Sequence, residues 1–147
     1  MPSITVEVEI AADPAAVWAV LEDIGSHTEW MTDAEQITFR SSQRRGEGTE
    51  IDVLTKVGPL RTSDHMRFTE WEEGRRMGVR HEGLVKGTGS FRLTASGGAT
   101  LVTWHEDLEF PWVFGGPLGA SVAKPILRRI WRANLTRLKA IVEVRPR

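Results

Sequence analysis

The chain contains no cysteine, which removes disulfides, thiolate metal ligands and thiol nucleophiles from its chemistry. It has no tyrosine, although it has six tryptophans. It carries almost no excess charge, a formal −1 over 147 residues, so nothing in the total points to nucleic acid or to an anionic membrane as a partner. No apolar run approaches the ~20 residues needed to span a bilayer. The start of the chain bears Glu7 and Glu9 and lacks a basic stretch followed by an apolar one, so no signal peptide is expected. These absences together predict a protein of a reducing cytoplasm with no stable membrane insertion.

What is present suits one globular domain over residues 1–147, with 40% hydrophobic and 27% charged residues. Residues 3–10 alternate at period two and place Ile4, Val6, Val8 and Ile10 on one strand face. Asp13 and Pro14 then form a helix start. Val17, Trp18, Val20, Leu21 and Ile24 give that helix its apolar stripe, and Gly25 is read as its end. A second short helix is predicted over about Ser26 to Asp33.

Short strands follow at hairpin spacing. Ile37 and Phe39 mark one, and Ile51, Val53, Thr55 and Val57 the next. Residues 60–71 place Leu60, Thr62, Asp64, Met66 and Phe68 on one face. Met77, Val79 and His81 share a face of the next strand, Phe91 and Leu93 that of residues 86–95, and Val102, Trp104, Glu106 and Leu108 that of residues 99–110. Pro111 to Gly119 reads as an apolar, flexible break. A long amphipathic helix closes the pattern near Val142, with Pro125 either at its proper start or at a kink. Its basic stripe of Lys124, Arg128, Arg132 and Lys139 is expected to face solvent.

The run from Ala11 to Asp23 followed by Trp30-Met31, with Phe68-Thr69-Glu70-Trp71 and Gly98-Ala99-Thr100-Leu101-Val102-Thr103-Trp104, resembles the START/Bet v 1-like (SRPBCC) superfamily. The nearest likeness is to its bacterial polyketide cyclase/dehydrase and lipid-transport group. The resemblance implies an α+β helix-grip fold. In that fold a seven-stranded curved antiparallel sheet wraps a long C-terminal helix, and two short helices follow the first strand. It also implies an internal cavity for a small hydrophobic ligand. It names no universal catalytic residue, because members of this group bind very different molecules.

If the sheet curls around the last helix, strand phase turns Val53, Asp64, Met66, Phe68, Met77, Val79, His81, Phe91, Leu93, Trp104 and Glu106 inward. The helix adds Leu127, Trp131 and Leu135, and Trp30, Trp112 and Phe114 are placed at a lid. The expected ligand contacts are Trp30, Met66, Phe68, Val79, His81, Phe91, Trp104, Glu106, Trp112, Phe114, Leu127 and Trp131. The tryptophans either fill the core or offer flat walls to a ligand. Asp64, His81 and Glu106 are the inward ionisable candidates. They form either an acid/base set or groups that reach water at strand ends or through a bulge.

His65 and His105 fall on the outer face, and His27 near the pocket entrance. Their spacing fits no metal site, so neither metal nor other cofactor is expected. Gly83 to Gly89 lacks the Lys-Ser/Thr pair of a phosphate loop and reads as a hairpin turn. Pro111 to Gly116 is either a gate or simple packing under the helix.

Three functions are compatible with these features: a binding protein for a polyketide, aromatic or lipid-like molecule; a polyketide aromatase/cyclase or dehydratase; and an interaction module with a filled interior. The first is favoured, as a monomer or homodimer.

Overall fold

The computed structural model describes residues 3–144. Strand β1 (Ser3–Ile10) buries Ile4, Val6 and Ile10 on one face, as its alternation predicts. Helix α1 (Pro14–Leu21) starts where Asp13 and Pro14 direct it. Asp13 stays extended and its carboxylate accepts from the Ala16 N–H at 2.9 Å.

The end of α1 differs from expectation. Gly25 does not terminate it. Glu22 remains right-handed and donates its N–H to Trp18 O, and the Leu21 carbonyl lies 2.8 Å from Nε2 of the His27 ring. A side chain from the next turn satisfies an orphan carbonyl, so the helix needs no left-handed glycine. That next turn is a 3₁₀ segment over Ile24–Glu29, earlier than the helix predicted from Ser26.

The remaining strands are β2 (Ala34–Phe39), β3 (Glu50–Val57), β4 (Leu60–Glu72), β5 (Arg76–Glu82), β6 (Lys86–Ser96) and β7 (Ala99–Glu109). They form one curved antiparallel sheet in the order β1-β7-β6-β5-β4-β3-β2. Strands β2 to β7 are a meander, and β1 returns to pair with β7. Gly97 and Gly98 both take positive φ, 55° and 85°, in the two-residue turn from β6 to β7. Turns of that hand match the natural strand twist.

One irregularity changes which residues face inward. The β4–β5 register slips between Phe68 and Glu70. Beyond this bulge Trp71 pairs with Met77, and its ring packs on Trp18 at 5.3 Å and on Phe68 at 5.8 Å. Strict alternation from Phe68 would have put Glu70 and Glu72 there instead.

A 3₁₀ turn over Trp112–Phe114 leads directly into α2 (Gly116–Val144). The predicted break is therefore shorter than expected, because Gly116 to Gly119 already belong to the helix. Pro125 lies well inside it. The two halves of α2 do different things. Leu135, Leu138 and Val142 are buried with Ile4, Val6, Val17 and Leu21 in one core. Leu118, Val122 and Ile126 are 80%, 68% and 49% exposed. The C-terminal half closes one end of the sheet, and the N-terminal half overhangs an opening. Of the basic stripe, Arg132 is exposed, whereas Lys124, Arg128 and Lys139 are half-buried. Lys139 bonds Glu9 O and Glu143 and so ties α2 to β1.

Candidate functional site

Between the concave sheet face and α2 lies a cavity of about 580 Å³. The interior is not filled, which the interaction-module reading required. The wall is apolar over most of its area. Phe68 on β4, Val79 on β5, Phe91 on β6, Trp104 on β7 and Leu127 and Trp131 on α2 all line it, together with Met66 and Phe114. Trp104 and Trp131 stack at 5.0 Å with their planes 22° apart.

Two expected contacts lie elsewhere. Trp30 is fully buried behind the wall, where it buttresses Phe91 at 5.8 Å and Trp104 at 6.2 Å. Trp112 is 88% exposed and does not line the cavity, because the short 3₁₀ turn directs Phe114 toward the interior and leaves Trp112 outside. Leu93 and Leu135, also read as inward, are buried in the core and form no part of the wall.

Asp64 on β4, His81 on β5 and Glu106 on β7 all reach the cavity. His81 Nε2 lies 2.6 Å from Glu106 Oε1, and the Trp104 indole N–H donates to Glu106 Oε2 at 3.2 Å. His81 Nδ1 is 3.9 Å from Asp64 Oδ2, too far for a hydrogen bond.

The contact between His81 and Glu106 spans β6, which lies between their strands. It is possible because the residues beneath it are Gly87, paired with His81, and Gly89, paired with Glu106. Both lie within β6, so only the residues before Lys86 form the turn expected of the Gly83–Gly89 run. Gly83 plays a related part in that turn, because a Cβ there would meet Asp64 Oδ1 at 2.7 Å.

Burial and neighbouring charge together set the titration of Asp64 and His81. It pushes the Asp64 carboxyl up to about 6; the charge of His81 opposes this and that of Glu106 adds to it. Burial alone would push His81 down. The charge and hydrogen bond of Glu106, aided by the charge of Asp64, outweigh it and hold His81 above its ordinary value. The His81 ring thus presents Nε2 to Glu106 and Nδ1 toward Asp64.

His27 lines the cavity but is committed to Leu21 O. Burial pushes its pKa down to about 4, so it stays neutral. His65 lies on the outer face as predicted, and there it bridges Asp52 and Glu50. His105 similarly contacts Thr5 and Asp107.

Residues 1–143 match the family described as polyketide cyclase/dehydrase and lipid transport. The chain belongs to that polyketide cyclase/dehydrase and lipid-transport family. Among solved structures, TTHA0849 from Thermus thermophilus is similar at a TM-score of 0.83 and 18% identity, covering 96% of this chain and 97% of the other. The Zhui aromatase/cyclase from Streptomyces sp. R1128 is similar at 0.79 and 17%, covering 99% and 96%. DR_A0006 from Deinococcus radiodurans is similar at 0.72 and 17%, covering 98% of each. At these identities the likeness is one of fold. No curated protein matches the chain.

Sequence reasoning missed two features of this family member's site. One is the bare inner face of β6, signalled only by Gly87 and Gly89 sharing a strand phase. The other is a polar clamp beside the cavity. Asp33 accepts from the Trp131 indole N–H at 2.9 Å and from Asn134 Nδ2 at 2.8 Å. Asn134 in turn accepts from the Thr32 N–H at 3.1 Å. A polar Asn134 within the apolar arc of α2 was the available signal.

Proposed function

We propose that the protein binds a small apolar molecule, of aromatic, polyketide or lipid-like kind, in the cavity between the sheet and α2. The observation that carries this reading is a cavity of about 580 Å³ whose wall is apolar apart from a few convergent ionisable groups. That is the usual composition of a small-molecule site. Membership of a family described by polyketide cyclisation and lipid transport supports the same class. Trp104 and Trp131 line the cavity, so tryptophan emission reports occupancy. Titration with fatty acids, sterols, flavonoids and aromatic polyketides is expected to give saturable quenching or a blue shift with at least one class. No response from any class would refute the reading.

A second reading, catalysis of a polyketide cyclisation or dehydration, is favoured by Asp64 and His81 facing each other across 3.9 Å. Loss of water from a β-hydroxyketone needs a base at the carbon beside the carbonyl and an acid at the departing hydroxyl. Asp64, pushed up to about 6, is a base suited to neutral pH, and His81 is the neighbouring acid. The C–H and C–O bonds break, a C=C bond forms and water leaves. Asp64 ends protonated and His81 neutral, and exchange with solvent restores both. The Zhui relative is an aromatase/cyclase by name, which fits this chemistry. Replacing His81 with Ala separates the readings: lost turnover at unchanged ligand affinity supports the enzyme, and unchanged turnover removes His81 from it.

A further inference from the structure

We infer that Asp64 makes the cavity selective for a ring-bearing ligand with a neutral hydroxyl headgroup, and that carboxylates are rejected. This rests on the cavity-binding reading above and narrows it.

The other ionisable groups in the wall are already hydrogen-bonded. Glu106 accepts from His81 and Trp104. Asp33 accepts from Trp131 and Asn134. His27 is bonded to Leu21 O. Asp64 differs: among the described residues no donor reaches its carboxylate, and His81 Nδ1 stops 3.9 Å away. Its side chain is only 15% exposed. A carboxylate so placed, with the His81 ring near it but no hydrogen-bond donor, is costly, and a donor brought by a ligand recovers part of that cost.

Charge decides which donor. Among the described residues no Lys or Arg lines the cavity. Among those same residues the basic groups facing it are His27, held neutral, and His81, already paired with Glu106. A ligand carboxylate would place a further anion beside Asp64 and Glu106, between which His81 is already shared. An ammonium fits the charge, but stripping its hydration among apolar walls costs far more than stripping a hydroxyl. A hydroxyl gives Asp64 its donor without a buried charge of its own. Trp104 and Trp131 both line the cavity, and indole rings in the wall suit a planar ring body.

Three naphthalene probes substituted at the same ring carbon test this: naphthol, its methyl ether and naphthoate. Calorimetric titration near neutral pH is expected to show naphthol binding about tenfold or more tighter than either of the others. In Asp64→Leu the advantage of naphthol over the ether should shrink to about twofold or less. Asp64→Asn keeps the shape and should raise the affinity for naphthoate, which guards against a folding artefact in the leucine variant. Equal affinities, or naphthoate binding tightest, would overturn the inference and leave the cavity-binding reading standing. So would a naphthol preference that survives in both variants. Failure of all three probes, together with no response in the broader fluorescence panel, would overturn the cavity-binding reading itself.

Discussion

Gly89 on β6 stands directly across from Glu106 on β7, and a Cβ at position 89 would lie 1.6 Å from Glu106 Oε2. The missing side chain is what lets Glu106 lie flat over β6 and meet His81 on β5 at 2.6 Å.

Gly89→Ala should therefore push the Glu106 carboxylate away from the ring. His81 then loses its principal partner, and burial, which acts to lower its pKa, is left less opposed. Imidazole titration followed by NMR should show His81 titrating at lower pH in the variant than in the wild type. An unchanged His81 titration would show that Glu106 can move without releasing it.

Asp64 has a higher proton affinity in the folded state than in the unfolded chain, about 6 against 3.8. Its contribution to stability is thus most favourable below the unfolded value and is lost as pH rises through about 6. Asp64→Asn should stabilise the protein above that pH, by on the order of 2 kcal/mol. It should make little difference below the unfolded value. Denaturant midpoints of the two proteins across this window check the sign.

His27 has the opposite sign. Its folded pKa is lowered from 6.5 to about 4, so its contribution is present above the unfolded value and lost as pH falls through the folded one. The loss amounts to about 3 kcal/mol if no other group compensates. His27→Gln should flatten this part of the acid limb of a stability–pH curve, which thermal melts at matched ionic strength can measure.

The clamp of Asn134 with Asp33 and Thr32 holds α2 over the cavity. Asn134 is fully buried, so Asn134→Ala leaves Asp33 Oδ1 and the Thr32 N–H without their donor and acceptor and should cost about 2–3 kcal/mol. Trp131→Phe removes only the 2.9 Å bond to Asp33 among the clamp's hydrogen bonds and should cost less. Equilibrium unfolding of both variants orders the two effects.

Much of the architecture is readable from local pattern. The alternation of Ile4 to Ile10, the Asp13-Pro14 helix start and the inward phase of Val79, His81, Trp104 and Glu106 all depend on periodicity along one segment. What local pattern misplaces depends on contacts between segments. His27 replaces the glycine expected to end α1 by supplying a hydrogen bond from the next turn. A bulge after Phe68 carries Trp71 to the inner side. Size and proximity to the right elements point Trp112 and Trp30 to a lid, yet one is exposed and the other lies behind the wall.

The sequence alone therefore determined the order of strands and helices, the inward strand residues ahead of the bulge such as Met66 and Phe68, and the inward placing of Asp64, His81 and Glu106. Those properties follow from side-chain periodicity, which each segment carries within itself. Only the tertiary structure decided that His81 meets Glu106 across a glycine-bared strand, that Asp64 is left without a donor, and that the tryptophans leave a cavity open. These are distances between residues far apart in the chain, and packing of the assembled sheet and helix sets them.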